Sequence, residues 1–108
     1  MHSFGGSIET ARRLIPLGAY FSFSGYFLQP RKAKAIEVFR QLPRDRILLE
    51  TDAPDMLPPE NFITHPLSEN HNHPANLRSI AEALAAALEL SRADLSRVTA
   101  ENFRRCFL

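Results

Sequence analysis

The chain has 108 residues, 44% of them hydrophobic, and a formal net charge of +1. That length suits one soluble domain with a modest core, and so small a charge provides no global field to recruit nucleic acid or membrane, so a nucleic-acid substrate would need local arginines or metal ions. Cys106 is the lone cysteine, which excludes an internal disulfide; with no oxidising signature, signal peptide or membrane span in the pattern, a cytoplasmic location is the default expectation.

Taken in order, Met1-His2-Ser3-Phe4 reads as the end of a strand. Gly5-Gly6 turns the chain and Ser7 is placed to cap a helix. Ile8, Ala11, Leu14 and Ile15 recur at helical spacing, and Gly18 stops that helix. From Ala19 to Ser24 the residues alternate: Ala19, Phe21 and Phe23 on one face, Tyr20, Ser22 and Ser24 on the other. A second helix is expected from about Arg31 to Gln41, with Ala35, Ile36, Phe39 and Leu42 on its apolar side.

Ile47-Leu48-Leu49 then runs straight into Glu50-Thr51-Asp52 and Ala53-Pro54. So short an apolar run reads as a buried strand, ended by the proline. Alternation puts Leu48, Glu50 and Asp52 on one face. Two carboxylates at the end of a buried strand are costly unless paired, hydrogen-bonded or bound to a cation. A plain strand end with a capping aspartate is the ordinary alternative. The β-α-β-α-β order predicts a parallel sheet, and the C-terminal ends of such strands are where α/β folds place ligands.

Residues 55–73 hold three prolines, three histidines and three asparagines, a long loop of the kind that is usually functional. Pro74 opens a helix with Leu77, Ile80, Ala81, Leu84 and Leu88 as its buried stripe. Ser91 and Asp94 are expected to cap a short further helix, and Thr99 a last one carrying Phe103 and Phe107.

His2-Ser3-Phe4-Gly5-Gly6-Ser7, Tyr20-Phe21-Ser22-Phe23-Ser24-Gly25 and Leu48-Leu49-Glu50-Thr51-Asp52-Ala53-Pro54, in this order and spacing, resemble the TatD family of metal-dependent deoxyribonucleases. Thr99-Ala100-Glu101-Asn102-Phe103 resembles the family's closing helix. The resemblance implies a (β/α)8 TIM-type barrel, and the pieces correspond to its sixth, seventh and eighth strands. A whole barrel takes about 250 residues, so residues 1–108 are expected to be a single partial domain, the C-terminal portion. The family's opening His-x-His pair, its glutamate and its earlier histidine have no counterpart in this chain.

By the same resemblance His2 is a metal ligand, and Asp52 is a catalytic and metal-associated carboxylate that helps activate water. The cofactor implied is a divalent ion (magnesium, manganese or zinc), and DNA is the implied substrate of the complete enzyme. Glu50 is assigned a supporting role behind the ligands. Ser24 is placed to line the pocket or simply to fill a narrow interior.

The family commonly has Asn-Glu-Pro where this chain has Asn72-His73-Pro74. His71 and His73 have the spacing of a strand-borne ligand pair, yet they fall in a loop, where solvated histidines are the expectation, as for His65. Arg31, Lys32 and Lys34 form a small basic cluster, suited to a phosphate backbone or to an ordinary solvated helix face. The leading expectation is a phosphodiester hydrolase, inactive as this chain alone. A non-catalytic truncated relative, or a metallohydrolase of small esters or amides, is the alternative. Self-association, or pairing with the missing barrel part, is expected; membrane binding is not.

Overall fold

The computed structural model describes residues 1–108. Six regular elements follow in order: α1 (Ile8–Leu14), β1 (Phe21–Ser24), α2 (Ala33–Gln41), β2 (Ile47–Glu50), α3 (Leu77–Ala87) and α4 (Arg92–Phe107). The strands pair in parallel, with Phe21 opposite Ile47 and Ser24 opposite Glu50. A parallel pair joined by a helix leaves the C-terminal ends of the two strands, and the loops that follow them, at one end of the sheet.

Local chemistry sets the boundaries. Ser7 Oγ accepts from the Thr10 amide and caps α1. Gly18 ends the following turn at φ 85°, a left-handed conformation that costs glycine little. Ser91 Oγ accepts from the Asp94 amide and caps α4. Phe21, Phe23 and Ile47 point to the helices and are buried with Phe39, Ile80, Leu84 and Leu95. The Phe23 ring meets Phe39 edge-on at 5.0 Å and Phe4 meets Phe21 at 4.7 Å. Such pairs contribute about 0.5–1.5 kcal/mol each beyond their buried area. No helix is long and apolar enough to cross a membrane.

Several expectations are corrected. The sheet has two regular strands, not three. Residues 1–4 do run along β1: the Ser22 amide donates to the Met1 carbonyl and the Phe4 amide to the Ser22 carbonyl, each at 3.0 Å. Ser3, at φ 43°, kinks out of the extended conformation and breaks the ladder. The second helix begins at Ala33, because Pro30–Lys32 form a tighter 3₁₀ turn. One long helix replaces the two expected after Ser91. Thr99 caps nothing; its hydroxyl donates to the Leu95 carbonyl at 2.9 Å, so the helix passes through.

The apolar stripes are only partly buried. Ile80, Ala81, Leu84 and Leu88 pack inside, whereas Leu77, Phe103 and Phe107 stay exposed. These three border an open hollow of about 1070 Å³ that reaches Tyr20, Ser22 and Leu48 on the sheet face opposite the core.

Candidate metal centre

The site is built where the chain leaves β2. Glu50 is the last strand residue and Asp52 lies two further on, at φ 58°. The left-handed turn at Asp52 ends the alternation, so its carboxylate reaches the site by a bend and not as the next residue of the strand face. The turn is held from the far side of the long loop. The Asn72 side chain, fully buried, donates to the Thr51 carbonyl at 2.8 Å and to the Asp55 carbonyl at 3.0 Å. Asn76, also buried, donates to Asn72 Oδ1 at 2.9 Å and accepts from the Thr64 and His65 amides. Buried amides with all partners present fix a loop firmly.

His2 Nε2 stands 2.5 Å from Asp52 Oδ1 and 3.2 Å from Glu50 Oε2. Ser3 Oγ bridges the two carboxylates, touching Glu50 Oε1 and lying 2.5 Å from Asp52 Oδ2. A hydroxyl has one proton to give, so it donates to one carboxylate at a time. The His2 side chain is 76% exposed while those of Glu50 and Asp52 are 16% and 11% exposed. The carboxylates thus form a floor and the imidazole a rim. Burial pushes the Asp52 carboxyl up, but hydrogen bonds from Ser3 and His2 and the charge of His2 outweigh it, so its pKa is lowered.

One imidazole nitrogen and two carboxylate oxygens, from His2, Glu50 and Asp52, lie within 4.8 Å of one another. Two like charges so close repel unless a cation or proton lies between them. A nitrogen-and-oxygen donor set of this kind fits a divalent ion such as magnesium, manganese or zinc.

His2 and Asp52, the ligands that the resemblance implies, stand side by side in the structure. Glu50, read as a supporting group, stands in the same cluster with its oxygen at ligand distance from the others. Ser24 is fully buried and its Oγ accepts from the Tyr26 amide at 3.3 Å, which ties it to the turn after β1. His73 is not a solvated loop histidine: it is half-buried, its Nδ1 accepts from the Ala75 amide at 2.9 Å, and its ring stacks on His65 at 5.1 Å. His65 and His71 are exposed, as expected. Ser3 was missed as a site residue, although it stands beside His2, because a serine alone carries no signal.

The family model for TatD related DNase matches residues 1–108, the whole chain. The chain belongs to the TatD family. It is 35% identical over 107 residues to the uncharacterized metal-dependent hydrolase YabD of Bacillus subtilis, which covers 99% of this chain and 40% of YabD. It is 32% identical over 122 residues to deoxyribonuclease Tat-D of Schizosaccharomyces pombe, across 94% of this chain and 38% of that protein. Among solved structures, the TatD homologue YjjV of Escherichia coli superposes with a TM-score of 0.80 at 27% identity, over 95% of this chain and 38% of YjjV. The chain therefore shares the TatD fold while spanning about two fifths of the length of these relatives.

Proposed function

We propose that this chain is the C-terminal portion, strands six to eight, of a TatD-type (β/α)8 barrel whose complete form hydrolyses phosphodiester bonds in DNA with a divalent metal. The observation that carries the reading is the convergence of His2, Glu50 and Asp52 at the C-terminal end of a parallel strand, where barrels of this type keep their active sites. The names of relatives, metal-dependent hydrolase and deoxyribonuclease, support the reaction class.

A bound divalent ion supplies polarisation of a phosphoryl oxygen and a water of lowered pKa. His2 and Asp52 would hold it, with Glu50 on the floor of the site. Ser3 and His2 keep Asp52 ionised in the metal-free site; with His2 Nε2 on the ion, Ser3 and the ion itself would do so, and Asp52 would accept the proton of the attacking water. Ser3 keeps the two carboxylates oriented. These groups make one side of a metal site. The family's opening His-x-His pair, its glutamate and its earlier histidine have no counterpart in residues 1–108, and these would complete the site from the rest of the barrel. The 108-residue chain alone is therefore expected to be without turnover.

The test is turnover of the complete protein on single-stranded DNA at saturating metal, with circular dichroism as a folding control. Asp52→Asn should lose a hundredfold or more in rate while staying folded. His73→Ala, which alters only a helix cap and a ring stack, should keep most of the rate. Near-normal turnover in Asp52→Asn would remove the site from the end of β2.

A further inference from the structure

We propose that Tyr26, Arg31 and Lys32 form a phosphate-binding station for a single-stranded nucleic acid at the metal-bearing end of the sheet. This rests on the reading above for its substrate class, and on separate observations for its place. The turn Gly25–Leu28 leaves β1 directly after Ser24, which is paired with Glu50. It therefore emerges at the same end of the sheet as the His2, Glu50 and Asp52 cluster.

Two cations share one ring there. The Arg31 guanidinium carbon lies 5.3 Å from the centre of the Tyr26 ring and Lys32 Nζ 5.7 Å. Arg31 also donates to the Tyr26 hydroxyl. Neither Arg31, Lys32 nor the nearby Lys34 has a carboxylate within 4.0 Å, although other arginines of the chain do. All three are exposed. They stand at the start of α2, whose first turn holds no acidic residue and whose N-cap Lys32 makes no side-chain capping bond.

Cations at the positive end of a helix, close to one another and without an acid, are an unfavourable arrangement. Tyr26 offsets part of that cost by holding two of them over its ring. The arrangement becomes favourable when an anion is bound, and Arg31 keeps donors free to clasp a phosphate. A groove of about 810 Å³ continues from Gln29 along Pro58, Pro59, Glu60, Asn70 and His71. Gln29, between Tyr26 and Arg31 in the chain, borders that groove, which carries the Glu60 carboxylate and no lysine or arginine, so the positive charge lies at Arg31 and Lys32 and not along the groove. Aromatic and basic side chains combined beside a groove are how single strands are bound without sequence preference.

The test is fluorescence anisotropy of a labelled thymidine 20-mer with the 108-residue chain in EDTA, so that no hydrolysis intervenes, repeated at several salt concentrations. The double variant Arg31→Ala, Lys32→Ala should bind about tenfold or more weakly at low salt, and its salt dependence should fall by about 1.4 in log–log slope, two phosphate contacts at about 0.7 each. Arg12→Ala, Arg13→Ala makes the same charge change in the last turn of α1, before β1 and so at the opposite end of the sheet, and should bind as the wild type does. Tyr26→Leu should weaken binding with little change of slope. Equal losses in the two double variants, or none in either, would overturn the proposal. So would displacement of the 20-mer by inorganic phosphate at a concentration no higher than that of the oligonucleotide's own phosphates, which would mark a free-anion pocket. Failure of this test leaves the Asp52→Asn turnover assay standing, and the reverse also holds.

Discussion

At the scale of single residues, the sequence exposes Asp52 because three aliphatic residues run into two acids, a pattern with a physical cost that demands a partner. It does not expose Ser3, whose hydroxyl acquires meaning only through Glu50 and Asp52 nearly fifty residues away. Nor does it expose the bend at Asp52, since alternation presumes an extended backbone. Ser3→Ala tests the bridging role. Residues that orient metal ligands typically change affinity by about 10–100-fold, so titration of the complete protein with manganese should show a loss of that order; unchanged affinity would reduce Ser3 to packing.

The same substitution moves a titration. The Asp52 carboxyl is lowered in the folded state, so it contributes stability above its unfolded pKa, and that contribution is lost as pH falls through the folded value. Without the Ser3 hydrogen bond the folded value should rise, and the loss should begin at higher pH. Carbon-13 carboxyl shifts of the metal-free protein, followed against pH, measure the midpoint directly. A midpoint that stays put or falls would contradict the assignment of Ser3 as a donor to Asp52.

At the scale of elements, most of the fold is legible because hydrophobic period and caps agree. The Ser7 cap and the alternating faces of β1 stand as expected, whereas Pro74 opens a 3₁₀ turn, Pro74–Asn76, that leads into α3, and Gly18 closes a 3₁₀ turn after α1 has ended at Leu14. The differences have two causes: local backbone turns, as at Ser3 and Pro30–Lys32, and polar side chains whose partners are distant or in the backbone. Thr99 reads as a cap yet bonds the carbonyl one turn back. Asn102 is buried on α4 and donates to the Arg44 and Ile47 carbonyls, each at 2.8 Å, pinning the helix to the start of β2. Asn102→Ala strands two acceptors and should cost about 1–3 kcal/mol in urea unfolding of the complete protein. A loss within error of zero would show that water replaces the amide. Gly25 has a different reason to be small. A Cβ there would stand 2.5 Å from Ile80 Cδ1 and 3.2 Å from Pro58 Cβ. Gly25→Ala should therefore destabilise by about 1–3 kcal/mol through overpacking, read from the same urea midpoints.

At the scale of the whole molecule, β1 and β2 form a small parallel sheet with one face on the helices and the other bordering an open hollow. Leu77, Phe103 and Phe107 are left exposed around it, and open strand edges invite pairing with another chain. The isolated 108-residue chain should therefore self-associate, and light scattering after size exclusion should give a mass above that of one chain. A sharp monomer peak across concentrations would contradict this. The central claim is that His2, Glu50 and Asp52 are one side of a hydrolytic metal site completed by the rest of the barrel. Its most direct measurement is cleavage of single-stranded DNA with magnesium, manganese or zinc. The assay uses the 108-residue chain alone, then mixed with a separately produced remainder of the barrel. The expected result is no turnover alone, turnover in the mixture, and none in the mixture when the chain carries Asp52→Asn; metal-dependent cleavage by the chain alone that disappears with Asp52→Asn would overturn the claim.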